Sequence, residues 1–262
     1  MGYVCTRCQR EYPEFRLRCS ECGAYRTLEQ GGSRWRRSRT PPVALPFVSV
    51  DQWVRLGSGI QAFDDLLGGG LVPGSSLLIS GEPGAGKSTL LLQLLDASHL
   101  PALYVSGEES VQQVKLRAER LKINSPQIAL LFETNVAHLL GYVDHNGARL
   151  LVIDSIQTVY SDISDCLPGS PTQIRKCVYL LRRTAQEKQL VLLIVGQITK
   201  DKQAAGPKLL EHAVDVVLSL TADEAAPQRR ILSVSKNRFG PAGRAWPFSM
   251  TAEGFTSTEP GR

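Results

Sequence analysis

Gly81-Glu82-Pro83-Gly84-Ala85-Gly86-Lys87-Ser88 is the stretch that decides the fold. It fits G-x-x-x-x-G-K-[ST], and its flanks fit as well as its letters. The apolar run Leu77-Leu78-Ile79-Ser80 precedes it as a short buried strand, and Thr89-Leu90-Leu91-Leu92-Gln93-Leu94-Leu95 follows as a helix of good helix formers. The glycines let successive backbone N–H groups turn inward around a phosphate without Cβ clashes. The helix N-terminus adds its partial positive charge. Residues Gly81 to Thr89 therefore form the expected binding loop of a nucleoside triphosphate, ATP in the simplest case. Lys87 reaches the β- and γ-phosphates and the Ser88 hydroxyl holds Mg²⁺. A glycine-rich turn that merely contains lysine is the plain alternative, and the correct flanks argue against it.

Working outward, apolar runs alternate with amphipathic helical stretches, the βαβ pattern of a mainly parallel sheet between helices. Upstream, Arg55 to Gly70 reads as a turn, a short helix and a glycine stop. Five runs each end in polar groups. Leu77–Ser80 ends in the phosphate loop, and Ala102–Ser106 in Gly107-Glu108-Glu109. Leu150–Ile153 ends in Asp154-Ser155, Leu190–Val195 in Gly196-Gln197, and Ile231–Ser235 in Lys236-Asn237-Arg238-Phe239-Gly240. Ligands of open α/β sheets bind beyond the carboxyl ends of the strands, so these groups are expected to converge on one crevice.

Their chemistry suits phosphoryl transfer to water. Asp154, after four aliphatic residues, binds Mg²⁺ directly or through a water. Glu108 or Glu109 orients and deprotonates the attacking water. Gln197 senses the γ-phosphate by hydrogen bonding. Lys236 and Arg238 neutralise charge developing in the transition state, as arginine fingers do. Singly, a strand-end acid is often a helix cap and a basic pair is often surface; the conjunction after five strands favours function.

The first 29 residues form a separate module. Cys5-x-x-Cys8 and Cys19-x-x-Cys22 are two tight pairs ten residues apart, the spacing of a structural Zn²⁺ site. The segment has too few large apolar residues to fold on a core alone, and metal binding, at about 10–16 kcal/mol, supplies the missing stability. Four cysteines leave no open position for catalysis. Residues 30–45, including Arg34-Trp35-Arg36-Arg37-Ser38-Arg39, read as a flexible basic linker. Two accounts of it stay open: arginines and a tryptophan gripping single-stranded nucleic acid, or a solvated tether. Residues 46–262 form the ATPase domain. Cys166 and Cys177 read as ordinary thiols, and the four histidines have no metal spacing.

Composition sets bounds on function. With 262 residues and 42% apolar content, the chain suits one α/β domain with a small appendage. No apolar run approaches the ~18 residues of a membrane span, and no signal-peptide profile opens the chain, so a cytoplasmic protein is expected. Met1-Gly2 with Thr6 matches a myristoylation pattern, but Cys5 beside it is better explained by the metal. Of 30 basic and 25 acidic side chains, residues 1–40 hold nine arginines and four glutamates, leaving 21 against 21 in the remainder. A basic end on a neutral body hints at nucleic acid.

These residues together make the chain similar to the bacterial RadA (Sms) recombination proteins of the RecA/DnaB/KaiC-like ATPase group. The resemblance rests on the four-cysteine finger, the lead-in Gly68-Gly69-Gly70-Leu71-Val72-Pro73-Gly74 and the phosphate loop. It continues through Tyr104–Ser110, Gln112–Leu121 and Gly206-Pro207-Lys208-Leu209-Leu210-Glu211-His212, and ends at Lys236–Gly240. It implies a RecA-like core and a homo-hexameric ring hydrolysing ATP at subunit interfaces, moving on single-stranded DNA and processing recombination intermediates beside a RecA-type recombinase. Lys236 and Arg238 then act on the neighbouring subunit's nucleotide. Channel loops near 162–170 and 200–208 face DNA, with Lys200, Lys202 and Lys208 as candidate contacts. Gln197 stands where the family usually has histidine, and the chain stops at Arg262, before the family's usual Lon-protease-like domain. The competing readings are a KaiC-like regulatory ATPase acting on a protein partner without DNA, and a DNA-binding scaffold whose ATPase has decayed; intact Lys87, Glu108 and Asp154 speak against the latter.

Overall fold

The computed structural model describes residues 2–5, 7, 10–31, 43–49, 54–162, 166–197, 206–223 and 225–257. The chain divides into two compact units, Met1–Val50 and Asp51–Arg262. Cys8, the greater part of the basic linker, Lys200 and Lys202 lie outside the described residues.

The first unit contains strands β1 (Gly2–Cys5), β2 (Glu11–Tyr12) and β3 (Leu28–Gly31), paired antiparallel in the order β2-β1-β3. Its core is small: Cys5, Tyr12, Cys19 and Leu28, with Tyr3 and Cys22 packed against them. So few apolar side chains cannot offset the entropy of ordering such a segment, so a further source of stability is required.

The second unit begins with α1 (Gln61–Leu67), which ends as its sequence indicated, on Gly68 in the left-handed region at φ 81°. Then come β4 (Ser76–Gly81), α2 (Lys87–Ser98), β5 (Ala102–Ser106), α3 (Val111–Arg120), β6 (Ile128–Phe132), α4 (Val136–Asn146) and β7 (Leu150–Asp154). After these stand α5 (Pro171–Lys188), β8 (Val191–Gln197), α6 (Gly206–Ala213), β9 (Val216–Asp223), β10 (Ala226–Asn237), β11 (Ala245–Thr251) and β12 (Gly254–Ser257). The strands form a nine-stranded sheet, β12-β11-β10-β9-β4-β8-β7-β5-β6. From β9 to β6 every pairing is parallel; β10, β11 and β12 run antiparallel.

The central strands are buried on both faces, which is why they read as unbroken aliphatic runs. Alternate residues enter two cores. Leu77, Ile79, Val191, Leu193 and Val195 pack with α1, α2 and α3, while Leu78, Leu192 and Ile194 pack with α4, α5 and α6. Helix α2 buries Leu90, Leu91, Leu92, Leu94 and Leu95 because the terminal hairpin covers its second side. Gln93 binds the Phe255 backbone through Nε2–O (3.0 Å) and accepts from its N–H (2.7 Å). The polar helices carry explicit starts: a Ser110/Gln113 capping box on α3, and Ser170 followed by Pro171 on α5.

One expectation is corrected. The run Ile231–Ser235 belongs to β10, which is antiparallel, so five strands do not all point their carboxyl ends at one crevice. Residues 224 and 225 alone separate β9 from β10, and a connection that short can only close a hairpin; a parallel return needs a dozen or more residues. Strands β6, β9, β11 and β12 extend the sheet beyond the expected set.

Candidate functional site

Four of the expected strand ends do converge. The carboxyl ends of β4, β5, β7 and β8 meet around a cavity of about 360 Å³ lined by the phosphate loop and by Glu108, Glu109, Asp154 and Gln197. The loop's backbone is set by Gly86, which stands at φ 103° immediately before α2. A Cβ there would lie 2.6 Å from the Phe255 ring, so no larger residue fits without displacing the terminal hairpin. From this point the first turn of α2, Lys87, Ser88 and Thr89, lines the cavity and directs its free N–H groups there.

Lys87 is 7% exposed and donates from Nζ to the carbonyls of Gly81 and Glu82, each at 2.8 Å. Burial lowers its pKa, while the carboxylates of Asp154 and Glu108 oppose that fall. An ammonium so placed, on carbonyls at the rim of an anion cradle, is ready to exchange them for phosphate oxygens.

The acidic residues have distinct surroundings. Asp154, at the tip of β7, accepts a hydrogen bond on Oδ2 from the Tyr104 hydroxyl. Tyr104 is fully buried on β5, and burial first, then the adjacent Asp154 charge, raises its pKa well above the ordinary value. It therefore remains a proton donor to Asp154 and also lies within hydrogen-bonding reach of Ser88. Glu108 accepts on Oε1 from Ser155 Oγ at 2.6 Å and faces Gln197 Nε2 at 3.2 Å. Glu109 instead pairs with Arg117 Nη2 at 2.6 Å. The two adjacent glutamates thus separate: Glu108 sits with Gln197 and Ser155, and Glu109 is occupied by a guanidinium from α3.

Several site residues are not apparent from the sequence. Tyr104 reads as one more apolar strand position, although a buried phenol always needs a partner. Arg117 and Arg120 line the cavity one helical turn apart, and Met250 reaches it from β11. Arg230, on β10, donates to the loop carbonyl of Ala85 at 3.2 Å. Tyr104, Arg117 and Arg120 fall within stretches that carry the family resemblance, but nothing local in the sequence marks the part any of these residues takes at the site.

Lys236 and Arg238 lie elsewhere. Asn237 pairs with Val216, the first residue of β9, and Val216 pairs with Leu77 near the start of β4. The Lys236–Arg238 tip therefore lies at the edge of the sheet opposite the phosphate loop, and within one chain it does not meet the site. Lys208 falls in α6, with its side chain outside the described residues.

In the first unit, the sulfurs of Cys5, Cys19 and Cys22 lie within 4.8 Å of one another, and those of Cys5 and Cys22 are 3.7 Å apart. Tetrahedral thiolates around one zinc, each about 2.3 Å from it, stand about 3.8 Å apart, so the arrangement could hold a metal ion. Thr27 Oγ1 lies 3.2 Å from Cys5 Sγ and the Tyr12 hydroxyl 3.0 Å from Cys19 Sγ, polar partners of the kind that surround metal ligands. Cys177 is buried, and burial pushes its thiol up to about 11. Among the described residues, no helix is long and apolar enough to cross a membrane.

Comparison with known proteins agrees with this geometry. The KaiC ATPase family model matches residues 56–130 and 132–260. The DNA repair protein RadA of Haemophilus influenzae is 40% identical over 268 residues, covering 97% of this chain and 58% of that protein. The RadA proteins of Escherichia coli and Bacillus subtilis are each 38% identical with the same coverage. The chain thus spans somewhat more than half the length of these relatives. Among solved structures, the RadB recombinase superposes with a TM-score of 0.62 at 24% identity, over 78% of this chain and all of that one. A KaiC-like protein from Pyrococcus horikoshii gives 0.66 at 22% identity, over 79% of this chain and 99% of its own. Both show the RecA-like α/β fold. The chain belongs to the KaiC ATPase family and, along nearly all of its own length, is similar to the DNA repair proteins named RadA.

Proposed function

We propose that this chain is a DNA-dependent ATPase of recombinational repair, hydrolysing ATP to move on single-stranded DNA and process branched intermediates. The observation that carries the reading is the meeting of Lys87, Asp154, Glu108 and Gln197 around one phosphate loop. Lys87 leaves the Gly81 and Glu82 carbonyls to hold the β- and γ-phosphates. Ser88 and Asp154 hold Mg²⁺, with Tyr104 fixing the carboxylate; the ion, when bound, neutralises phosphate charge. Glu108, oriented by Ser155, takes the proton of the attacking water, and Gln197, hydrogen-bonded to it, also reaches the γ-phosphate. Glu109 stays on Arg117 and supports the loop. Lys236 and Arg238, at the far edge of the sheet, act on the nucleotide of the adjacent subunit in a homo-hexameric ring.

The four N-terminal cysteines, Cys5, Cys8, Cys19 and Cys22, hold a structural Zn²⁺. Lys200, Lys202 and Lys208 face DNA, and a RecA-type recombinase is the partner. The similarity to RadA supports these readings, as does the basic surplus of residues 1–40. A second reading, a KaiC-like regulatory ATPase acting on a protein without DNA, is favoured by the equal numbers of basic and acidic side chains beyond residue 40.

ATP hydrolysis with and without single-stranded DNA, on samples whose mass is measured in solution, separates the two. Stimulation that weakens steeply with salt supports the DNA motor, because phosphate contacts release counterions. Equal rates at every salt concentration would support the regulatory reading.

A further inference from the structure

A second buried cluster of charges lies away from the phosphate site, around Asp215. This residue joins α6 to β9 and is 4% exposed. Its Oδ2 accepts from Ser76 N (3.0 Å) and Ser76 Oγ (2.6 Å). Its Oδ1 accepts from Arg182 Nη2 (3.0 Å) and Arg238 Nη1 (3.1 Å). Arg182 Nε closes the circuit on Ser76 Oγ at 3.0 Å. The backbones interlock as well: Asp215 N donates to Ser76 O at 3.0 Å, and Arg238 N donates to Asp215 O at 3.2 Å. Beside them, Lys236 Nζ donates to the carbonyls of Glu211 and Val214, each at 2.7 Å, at the end of α6.

Stability alone accounts poorly for this arrangement. A buried carboxylate needs a charge partner and hydrogen bonds to its remaining lone pairs, and Arg182, only 23% exposed, together with Ser76 N and Oγ already supplies both. Arg238 adds a second guanidinium to the same oxygen rather than forming the two-point fork that is the stronger pairing. Its side chain remains 53% exposed. Such a contact fixes a direction: the Arg238 backbone is held by its N–H on the Asp215 carbonyl and the guanidinium by one nitrogen on the Asp215 carboxylate, while about half of the side chain stays open to solvent.

We propose that Asp215 is a positioning residue that aims Arg238 at the nucleotide bound by the adjacent subunit, with Ser76 and Arg182 holding the carboxylate in orientation. The inference rests on the reading in which Arg238 acts between subunits. It also gives β4 two roles: its first residue orients the outgoing cation and its last opens the phosphate loop.

The test is complementation between full-length variants. Asp215→Asn keeps the shape and an acceptor for Ser76 while removing the charge. Turnover should fall about ten- to a hundredfold, the loss expected for one charge-assisted hydrogen bond that directs a reacting group. Binding of a non-hydrolysable ATP analogue should be unchanged, because the variant's own phosphate site lies at the other end of β4. Mixing with Lys87→Ala, which cannot hydrolyse but carries an intact Asp215–Arg238 pair, should restore a rate above the sum of the separate samples. Arg238→Ala mixed with Lys87→Ala is the control. If that pair fails to complement, the inter-subunit reading falls and this proposal falls with it. If it complements while Asp215→Asn hydrolyses at the wild-type rate, or is not rescued, Asp215 has no positioning role. Should Asp215→Asn not fold, Ser76→Ala serves instead: a severalfold loss rescued by Lys87→Ala supports the proposal, and a wild-type rate overturns it.

Discussion

Glu108→Gln isolates the proposed base from its position. Glu108 Oε1 accepts from Ser155 Oγ at 2.6 Å, and a glutamine carbonyl can accept the same bond. Gln197 Nε2, 3.2 Å from the same oxygen, can go on donating to that carbonyl. The shape of the site is therefore preserved and only the proton acceptor is lost. General-base catalysis contributes about 10²–10⁴-fold, which is about 2.7–5.4 kcal/mol of barrier at ~1.36 kcal/mol per decade. Binding should persist, since Lys87 and the loop N–H groups make the phosphate contacts and Asp154 still faces the lysine. The assay is single-turnover hydrolysis with protein in excess, beside equilibrium binding of a non-hydrolysable analogue. Glu109→Gln is the internal control: Glu109 is held by Arg117 at 2.6 Å, so its loss should slow turnover far less. Loss of binding in Glu108→Gln, or a fall in rate smaller than about tenfold, would refute the assignment, as would equal effects at the two positions.

The same geometry bears on other perturbations. Tyr104→Phe removes the donor to Asp154 Oδ2 and should raise the Mg²⁺ concentration for half-maximal hydrolysis and cut turnover about tenfold; an unchanged Mg²⁺ dependence would contradict it. Cys19→Ser, at a fully buried cysteine, should release zinc to a chromogenic chelator and unfold the first unit alone. A fall in the melting temperature of the second unit would count against that. Lys87 titrates below its ordinary value because burial disfavours the ammonium, so between that lowered pKa and 10.5 the unfolded chain binds more protons than the native one. Stability of the nucleotide-free protein should therefore rise with pH across that window, and Lys87→Met should flatten the rise when the two are compared by chemical denaturation. Parallel pH curves for both proteins would show that the lysine does not carry the effect.

The features legible in the sequence were those that short stretches of chain determine. The phosphate loop declares itself because its glycines, lysine and serine work at fixed offsets between an aliphatic strand and a helix. Asp154, Glu108 and Gln197 could be named because each lies at or just beyond the end of a buried strand, and parallel strands bring their carboxyl-terminal residues to one edge of the sheet. The same rule misplaces Lys236 and Arg238, because the direction of β10 is set by its two-residue connection to β9 and not by the apolar run itself. The roles of Tyr104 and Arg117 are not legible in the sequence because they depend on facing residues: Tyr104 meets Asp154 across 50 positions of chain. The cluster at Asp215 joins Ser76, 139 positions away, to Arg182 and Arg238, and no periodicity marks such a meeting.

The central claim is that the anion of a bound triphosphate takes the place of two carbonyls on Lys87. A crystal structure with Mg²⁺ and a non-hydrolysable ATP analogue tests it most directly. The account predicts that Lys87 Nζ leaves Gly81 and Glu82 O, each now 2.8 Å away, for the β- and γ-phosphate oxygens, with Glu108 opposite the γ-phosphate. An analogue bound away from the loop, with Lys87 still on both carbonyls, would contradict it.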